Sequence, residues 1–130
     1  MEKKGLSNVK LIHYDARFFI ELFKNNSVKN VYINFPDPWP KKRHHKRRLL
    51  KPDFLTLLSD KMINGGLLHI ATDHENYKDE IVNNLIECGR FASEFDGWYV
   101  NELVDYYPTK YYRKFASVTG VYFFRLKNEK

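Results

Sequence analysis

The chain has 130 residues, of which 43% are hydrophobic and 16% aromatic, so it allows one domain with a moderate core and is not disordered. Its net charge of +6 at pH 7 indicates an anionic partner. The single cysteine excludes an internal disulfide, and the lack of any apolar run near the ~20 residues that span a bilayer predicts a soluble, cytoplasmic chain with no membrane partner.

The first predicted elements are a strand, a short helix and a second strand. Residues 9–14 form an apolar stretch that is typical of a strand ending at Asp15, and apolar residues at 18–23 mark the helix. Residues 31–35 predict the second strand. It must end there because prolines follow at every second position, and proline cannot extend a central strand ladder.

The middle of the chain predicts a helix, a strand and another helix. Apolar residues recur at helical spacing over residues 54–62, with a proline near the first turn and two glycines past the end. Residues 67–71 predict a buried strand that leads to Asp73. The next helix is expected over residues 77–85 and is closed by Gly89.

The last third is predicted to be rich in strands. Residues 98–100 and 118–126 each predict one strand, and the second is a candidate partner in an antiparallel closing hairpin. The alternation of strands and helices therefore predicts one α/β domain over residues 1–130, with a sheet that is parallel in its first part.

Three acidic residues follow predicted strands. They are Asp15, Asp37 and Asp73. In open α/β sheets the ligand crevice lies outside the carboxyl ends of the strands. Any one of them is compatible with an ordinary turn or N-cap aspartate. Three in succession, with Asp37 fixed between Pro36 and Pro38, predict a ligand site instead.

The positive charge is concentrated in residues 41–51, which we call the cationic segment. It holds seven Lys/Arg and no Asp/Glu, which leaves a net charge of −1 for the rest of the chain. Phosphate binding is the natural function of such a segment, with a solvated helix face and a nuclear localisation segment as alternatives. Its adjacent histidines, His44 and His45, are expected to contact phosphate or solvent, and no metal site is predicted. The segment begins four residues after Asp37, at the mouth of the predicted crevice.

Residues 34–49 carry a family resemblance. Their sequence, Asn-Phe-Pro-Asp-Pro-Trp-Pro-Lys-Lys-Arg-His-His-Lys-Arg-Arg-Leu, resembles the signature of the bacterial tRNA (guanine-N7-)-methyltransferases, a class I family that uses S-adenosylmethionine. Further similarity lies at residues 5–9, 15–16, 65–66, 69–73 and 109–111. The resemblance implies a Rossmann-like class I methyltransferase sheet flanked by helices, of which this chain supplies about strands three to seven.

The resemblance also shows which parts of the family pattern are missing. No Gly-x-Gly pattern occurs, so the family's glycine-rich loop at the methionine end of the cofactor has no counterpart. The acidic residue that holds the cofactor ribose is likewise missing, because the first two strands are not found. We therefore expect a single partial methyltransferase domain, the C-terminal portion, with a homodimer or a complementing N-terminal fragment as candidate partners.

The implied reaction is methyl transfer from S-adenosylmethionine to N7 of the guanine at position 46 in the tRNA variable loop. N7 has a free lone pair at neutral pH, so attack requires no base, and positive charge develops on the imidazole ring. A nearby carboxylate stabilises that charge. Asp37 is predicted to be this catalytic residue and a cofactor contact, and Asp15 resembles the adenine-side cofactor contact of the family.

The resemblance implies two further sets of contacts. Those to guanine and tRNA are Lys41, Asp73, Thr109, Lys110, Tyr111 and Tyr112, the last standing where the family motif has glutamate. Those to the RNA backbone are Lys42, Arg43, His44, His45, Lys46, Arg47 and Arg48. Trp39 is expected either to stack on a base or to pack the turn.

Two alternative functions stay open at the level of sequence. One is a methyltransferase that acts on an exocyclic amine, because the Asn-Phe-Pro-Asp-Pro-Trp stretch is similar to the Asp-Pro-Pro-Tyr type of loop. The other is a non-catalytic tRNA-binding remnant that keeps the basic groove without the cofactor half. The first tolerates 7-deazaguanine as a substrate, and the second binds tRNA without cofactor binding or turnover.

Overall fold

A computed structural model describes residues 15–102 and 120–130. In chain order these form the helix α1 Ala16–Phe19, a 3₁₀ helix Ile20–Leu22, the strand β1 Val28–Asn34, a second 3₁₀ helix Lys42–Arg47, α2 Pro52–Lys61, β2 Met62–Thr72, α3 Glu75–Cys88, β3 Phe91–Ser93 and β4 Tyr122–Asn128. The predicted strand at residues 9–14 and the predicted contacts at Thr109, Lys110, Tyr111 and Tyr112 lie outside the described residues. No helix in the described ranges is long and apolar enough to cross a membrane.

The four described strands form one mixed sheet in the order β1-β2-β4-β3. β1 and β2 are parallel, in a register that pairs Asn34 with Ala71. β4 runs antiparallel to β2 and to β3. This arrangement confirms the predicted α/β class and the parallel first part of the sheet. Because β1 and β2 are parallel neighbours, the residues that follow them emerge at the same edge.

The core lies between the sheet and the helices α2 and α3. Leu68 and Ile70 of β2 and Phe124 and Leu126 of β4 are buried in one apolar cluster. The helices contribute Phe54, Leu55, Leu58, Tyr77, Ile81 and Leu85 to it. Burying a side chain of this size contributes about 1.5–3 kcal/mol, so the cluster holds α3 firmly against the sheet.

The helix α3 begins close to the edge where β2 ends. Its N-cap is His74, whose Nδ1 accepts the backbone N–H of Tyr77 at 3.1 Å. Its C-cap is Gly89 with φ of 70°, a left-handed conformation that glycine adopts without steric cost. The helix predicted over residues 77–85 and its glycine stop are therefore confirmed.

The glycine pair after α2 has a different role from the one predicted. The helix ends at Lys61, and Gly65 and Gly66 lie within β2. A Cβ at position 66 would meet the carbonyl oxygen of Lys29 at 2.6 Å, so β2 passes too close to the chain at β1 for any larger residue. The strand register is irregular at this point, which explains why strand continues where the sequence indicated a turn.

The strand predicted at residues 98–100 is reduced to a single antiparallel bridge between Val100 and Phe123. The third strand is instead Phe91–Ser93, which pairs with β4 and was not predicted. A three-residue strand is too short to show alternation, so pairing with β4 decides its conformation.

Candidate functional site

The Pro-Asp-Pro loop, residues 35–41, leaves the sheet beside the end of β2. The backbone N–H of Phe35 donates to the carbonyl of Ala71 at 2.7 Å, which extends the parallel pairing by one bond. Phe35 and Trp39 have φ of 52° and 43°, left-handed values that are uncommon for bulky residues. Such backbone persists only where its surroundings hold it, so the loop has an imposed shape.

Asp37 stands at the centre of this loop with an exposed side chain. Its carboxylate accepts the backbone N–H of Trp39 at 3.2 Å, which closes a turn of the Asx type. This bond fixes the direction of the carboxylate and leaves further acceptor positions on its two oxygens.

A pocket of about 490 Å³ lies between this loop and the start of α1. Its lining residues are Asp15, Ala16, Arg17, Pro36, Asp37, Trp39, Arg47 and Leu49. We call it the Asp15–Asp37 pocket. It brings together two of the three predicted acidic residues from separate parts of the chain, with one cation of the cationic segment at its rim.

Asp15 is the N-cap of α1 and pairs with Arg17. Its carboxylate accepts the Arg17 backbone N–H at 3.0 Å and lies 2.8 Å from Arg17 Nη2. The side-chain hydrogen bond from Arg17 lowers the pKa of Asp15, and the same bond raises the pKa of Arg17. Asp15 is therefore a charged acceptor at neutral pH, already engaged by one cation.

Asp73 follows β2 at the same sheet edge and is half-buried. It is not among the residues that line the Asp15–Asp37 pocket. Beside it, the backbone N–H of His74 donates to Thr72 Oγ1 at 3.2 Å, which turns the chain into α3. The strand-end argument thus places Asp37 and Asp73 at one edge but brings only Asp15 and Asp37 into one cavity.

Most of the cationic segment forms the 3₁₀ helix Lys42–Arg47, in which side chains three residues apart lie on the same side. His44 and Arg47 are spaced in this way, and both contact Trp39. The Arg47 guanidinium is 5.1 Å from the centroid of the Trp39 ring, and the His44 ring is 5.7 Å away in an edge-on arrangement. Trp39 therefore packs the turn, and it also lines the pocket.

The outer side of the segment is a cationic surface. Its exposed residues are Lys41, Lys42, Arg43, Lys46 and Arg47. The histidines are half-buried, and His45 Nε2 lies 3.3 Å from the carbonyl oxygen of Pro40. Five of the predicted tRNA contacts are thus open to a polyanion, while the two histidines also support the loop.

Arg48 corrects the prediction that it contacts the RNA backbone, because it is only 1% exposed. Its Nε donates to the Pro38 carbonyl at 2.6 Å, its Nη1 to Glu80 at 2.6 Å and its Nη2 to Asn76 at 2.8 Å. A guanidinium whose three nitrogens are engaged inside the protein does not reach a phosphate.

The sequence analysis missed the residues of α3 that receive Arg48. Glu80 also accepts the ammonium of Lys51 at 2.5 Å, so it binds two cations of the segment. Burial alone would raise the pKa of Glu80, but the hydrogen bonds from Lys51 and Arg48 outweigh it and lower the pKa. An acid four residues before Asn84, on the helical face that faces the core, was the available signal for a buried cation.

Comparison with known proteins agrees with this geometry. Residues 1–124 match the model of a family described as "Putative methyltransferase". The tRNA (guanine-N(7)-)-methyltransferase of Nitrosomonas europaea is 45% identical over 114 residues, which are 87% of this chain and 47% of that protein. The enzyme of the same name from Wolbachia pipientis wMel is 38% identical, over 88% of this chain and 49% of its own. The chain spans about half the length of the curated relatives it matches.

A solved structure shares the fold. The protein of Thermus thermophilus described as a DNA modification methylase superposes with a TM-score of 0.60, over 89% of this chain and 51% of its own. The sequences are 17% identical, so the likeness concerns the fold alone. It supports a mixed α/β architecture of the methyltransferase type.

Proposed function

The chain belongs to this methyltransferase family, and from that premise we propose that it acts in methyl transfer from S-adenosylmethionine to N7 of the guanine at position 46 in the tRNA variable loop. The observation that carries the proposal is that one short loop supplies both functions. Asp37 lines the pocket, and the exposed cations that begin at Lys41 continue directly from the same loop. A base can therefore enter the pocket while its phosphates lie on the cationic surface.

The carboxylate of Asp37 is the proposed catalytic group. Attack by guanine N7 leaves positive charge on the imidazole ring, and an oriented carboxylate stabilises that charge more in the transition state than in the free base. The Trp39 N–H bond at 3.2 Å keeps the carboxylate in one orientation, so little reorganisation is needed when the charge develops. Positioning and electrostatics then account for the rate, without proton abstraction.

The lining of the Asp15–Asp37 pocket fits the adenosyl part of the cofactor. Asp15 and Asp37 offer carboxylate oxygens to amine and hydroxyl hydrogens, and Trp39 and Leu49 offer apolar surface to a flat ring. S-adenosylmethionine supplies a methyl group on a sulfonium when bound. No lining residue of this pocket is a glycine, so we assign the methionine end to a part of the protein outside it.

The remaining contacts belong to the same proposal. Lys41 and Asp73, at the sheet edge, are proposed to contact guanine or the neighbouring phosphate. Thr109, Lys110, Tyr111 and Tyr112 stay predicted tRNA contacts. The RNA backbone would be bound by Lys42, Arg43, Lys46 and Arg47, with His44 and His45 behind them. We further propose that this chain forms the C-terminal portion of the family domain, completed by an N-terminal fragment or in a homodimer.

The test is transfer of labelled methyl from S-adenosylmethionine to unmodified tRNA, with the product mapped. We expect label at guanine N7 and no label on tRNA that carries 7-deazaguanosine at position 46, because the accepting lone pair is then absent. Methylation that persists on the 7-deaza substrate would instead establish an exocyclic amine as the acceptor. Binding of tRNA at low salt without any label would establish a non-catalytic RNA-binding chain.

The role of Asp37 is tested by the nearly isosteric change Asp37→Asn. It should lower the methyl-transfer rate about 100–1,000-fold, the range for loss of one electrostatic group in an active site, with tRNA affinity little changed. The matched control is Asp96→Asn, at an exposed loop position outside the pocket lining. A large loss of tRNA affinity with a normal turnover rate would assign Asp37 to binding instead.

A further inference from the structure

The buried guanidinium of Arg48 joins the Pro-Asp-Pro loop to the helix that follows the neighbouring strand. We propose that Arg48 is a positioning residue for methyl transfer, which holds the carboxylate of Asp37 in its working orientation. The inference rests on the proposed function for the reaction that it serves. Its structural part rests only on the Arg48 cluster, which we define as Arg48, Pro38, Asn76, Tyr77 and Glu80.

The first step is the peptide between Pro38 and Trp39. Its carbonyl oxygen accepts Arg48 Nε at 2.6 Å, and its N–H donates to the Asp37 carboxylate at 3.2 Å. The two bonds are made by opposite ends of one planar unit, so fixing the oxygen also fixes the direction of the N–H. Arg48 is thus one peptide plane away from the proposed catalytic carboxylate.

The second step is the anchoring of Arg48 itself. Nη1 donates to Glu80 and Nη2 to Asn76, four residues apart on α3, so the guanidinium plane spans two successive turns of that helix. Its carbon lies 4.8 Å from the centroid of the fully buried Tyr77 ring. Glu80, Arg48, the peptide and Asp37 therefore form a continuous series of hydrogen bonds, in which each bond polarises the next.

The third step is the fixation of the chain that follows Arg48. The backbone N–H of Leu50 donates to the Tyr77 hydroxyl at 3.0 Å, and the Leu50 carbonyl accepts Asn84 Nδ2 at 2.9 Å. Leu50 is fully buried. Both sides of the guanidinium are therefore attached to α3, which packs in the core, and the loop side is the part that Arg48 constrains.

The geometry requires arginine at this position. A planar guanidinium presents donors in three directions at once, and here they meet a carbonyl, an amide oxygen and a carboxylate. An ammonium at the end of a flexible stem reaches only part of this set. Trp39, at φ of 43°, is the residue whose backbone depends on the constraint, and its ring reports whether the loop keeps its shape.

The experiment compares Arg48→Gln with Arg43→Gln, which removes the same charge from an exposed position of the 3₁₀ helix. 5-Fluorotryptophan is incorporated into the 130-residue chain, whose two tryptophans give two fluorine resonances, and Trp98→Phe assigns them. The second readout is the dependence of tRNA binding on salt, which counts phosphate contacts.

We expect Arg48→Gln to move the Trp39 resonance to the solvent-exposed position and to leave the salt slope unchanged. Arg43→Gln should lower the slope by about 0.7–0.9, one phosphate contact, and leave the resonance in place. The inference is overturned if Arg48→Gln lowers the slope as Arg43→Gln does and does not move the resonance, because Arg48 would then act as a phosphate ligand.

Arg48→Lys provides the test if the glutamine variant does not fold. It keeps the charge beside Glu80 but loses the simultaneous bond to Pro38, so we expect an intermediate Trp39 shift. A resonance identical to that of the parent chain contradicts the positioning role.

Kinetics separate the positioning role from the proposed function. Arg48→Gln should lower kcat about 100-fold with little change in KM, the size expected for a misplaced catalytic group. A parent chain that transfers no methyl, with the expected fluorine shift in Arg48→Gln, refutes the proposed function and leaves the structural role of Arg48 intact. Transfer that Arg48→Gln does not slow refutes the positioning role alone.

Discussion

The two ends of the cationic segment contain the same kinds of residue in opposite environments. At the outer end, Arg43 and Arg47 are exposed along the 3₁₀ helix. At the inner end, Arg48 is 1% exposed and is already in extended backbone, where its side chain meets α3. Lys51 is half-buried against the same carboxylate, Glu80.

The difference shows that a run of positive charge does not count phosphate contacts. Seven Lys/Arg lie in residues 41–51, but Arg48 and Lys51 are neutralised by Glu80, which leaves five exposed cations for a polyanion. The outer end supplies a field that falls off with salt, and the inner end supplies a fixed attachment that salt screens little. One segment thus divides between binding and support.

Removal of the Arg48 side chain should have the largest effect on this comparison. Arg48→Met keeps the length of the side chain but leaves Glu80, Asn76 and the Pro38 carbonyl without their donor, so we expect a loss of about 3 kcal/mol in the free energy of unfolding. Arg43→Met, at the exposed end, should change it by less than about 0.5 kcal/mol. Urea unfolding of both variants is the measurement, and equal losses would contradict the division into two ends.

A smaller effect is expected from the hydroxyl of Tyr77. Tyr77→Phe leaves the buried N–H of Leu50 without its acceptor at 3.0 Å, so we expect a loss of about 1–3 kcal/mol in the free energy of unfolding. Burial also raises the pKa of Tyr77 to about 12, so the hydroxyl stays protonated at neutral pH. Tyr32→Phe is the matched control, because Tyr32 is 62% exposed and should lose almost nothing. Similar thermal shifts in both variants would mean that the Leu50 contact contributes little.

The family and the main elements could be predicted because their signals are local. The sixteen residues from 34 to 49 were sufficient to predict the methyltransferase family, which the match over residues 1–124 confirms. The helix α3 and the central strand β2 follow from periodicity and glycine placement. The strand-end argument also anticipated that Asp15 and Asp37 would meet in one pocket.

The fate of Arg48 could not be predicted from such local signals. Its neighbours Lys46 and Arg47 are exposed, and nothing in their order distinguishes the third cation. Its burial depends on Glu80, which is thirty-two positions away in the sequence and is brought near only when α3 packs on the sheet. The strand β3 escaped prediction for the same reason, because its conformation comes from pairing with β4.

The pH dependence of stability isolates the anionic partner of the inner end. The pKa of Glu80 is lowered in the folded chain, because the hydrogen bonds from Lys51 and Arg48 outweigh the effect of burial. Its contribution to stability is therefore complete above the ordinary glutamate pKa of about 4.3 and is lost as the pH falls through the lower pKa of the folded state.

Glu80→Gln should remove this contribution, so the variant loses less stability than the parent chain between about pH 5 and pH 3. Glu87→Gln, at an exposed position on the same helix, should keep the pH dependence of the parent chain. Urea midpoints across this pH range are the measurement. If both variants follow the parent curve, the two cations at the inner end are held by packing alone and the charge of Glu80 is dispensable. A flatter curve in Glu80→Gln only would assign the attachment of the Pro-Asp-Pro loop to that one carboxylate.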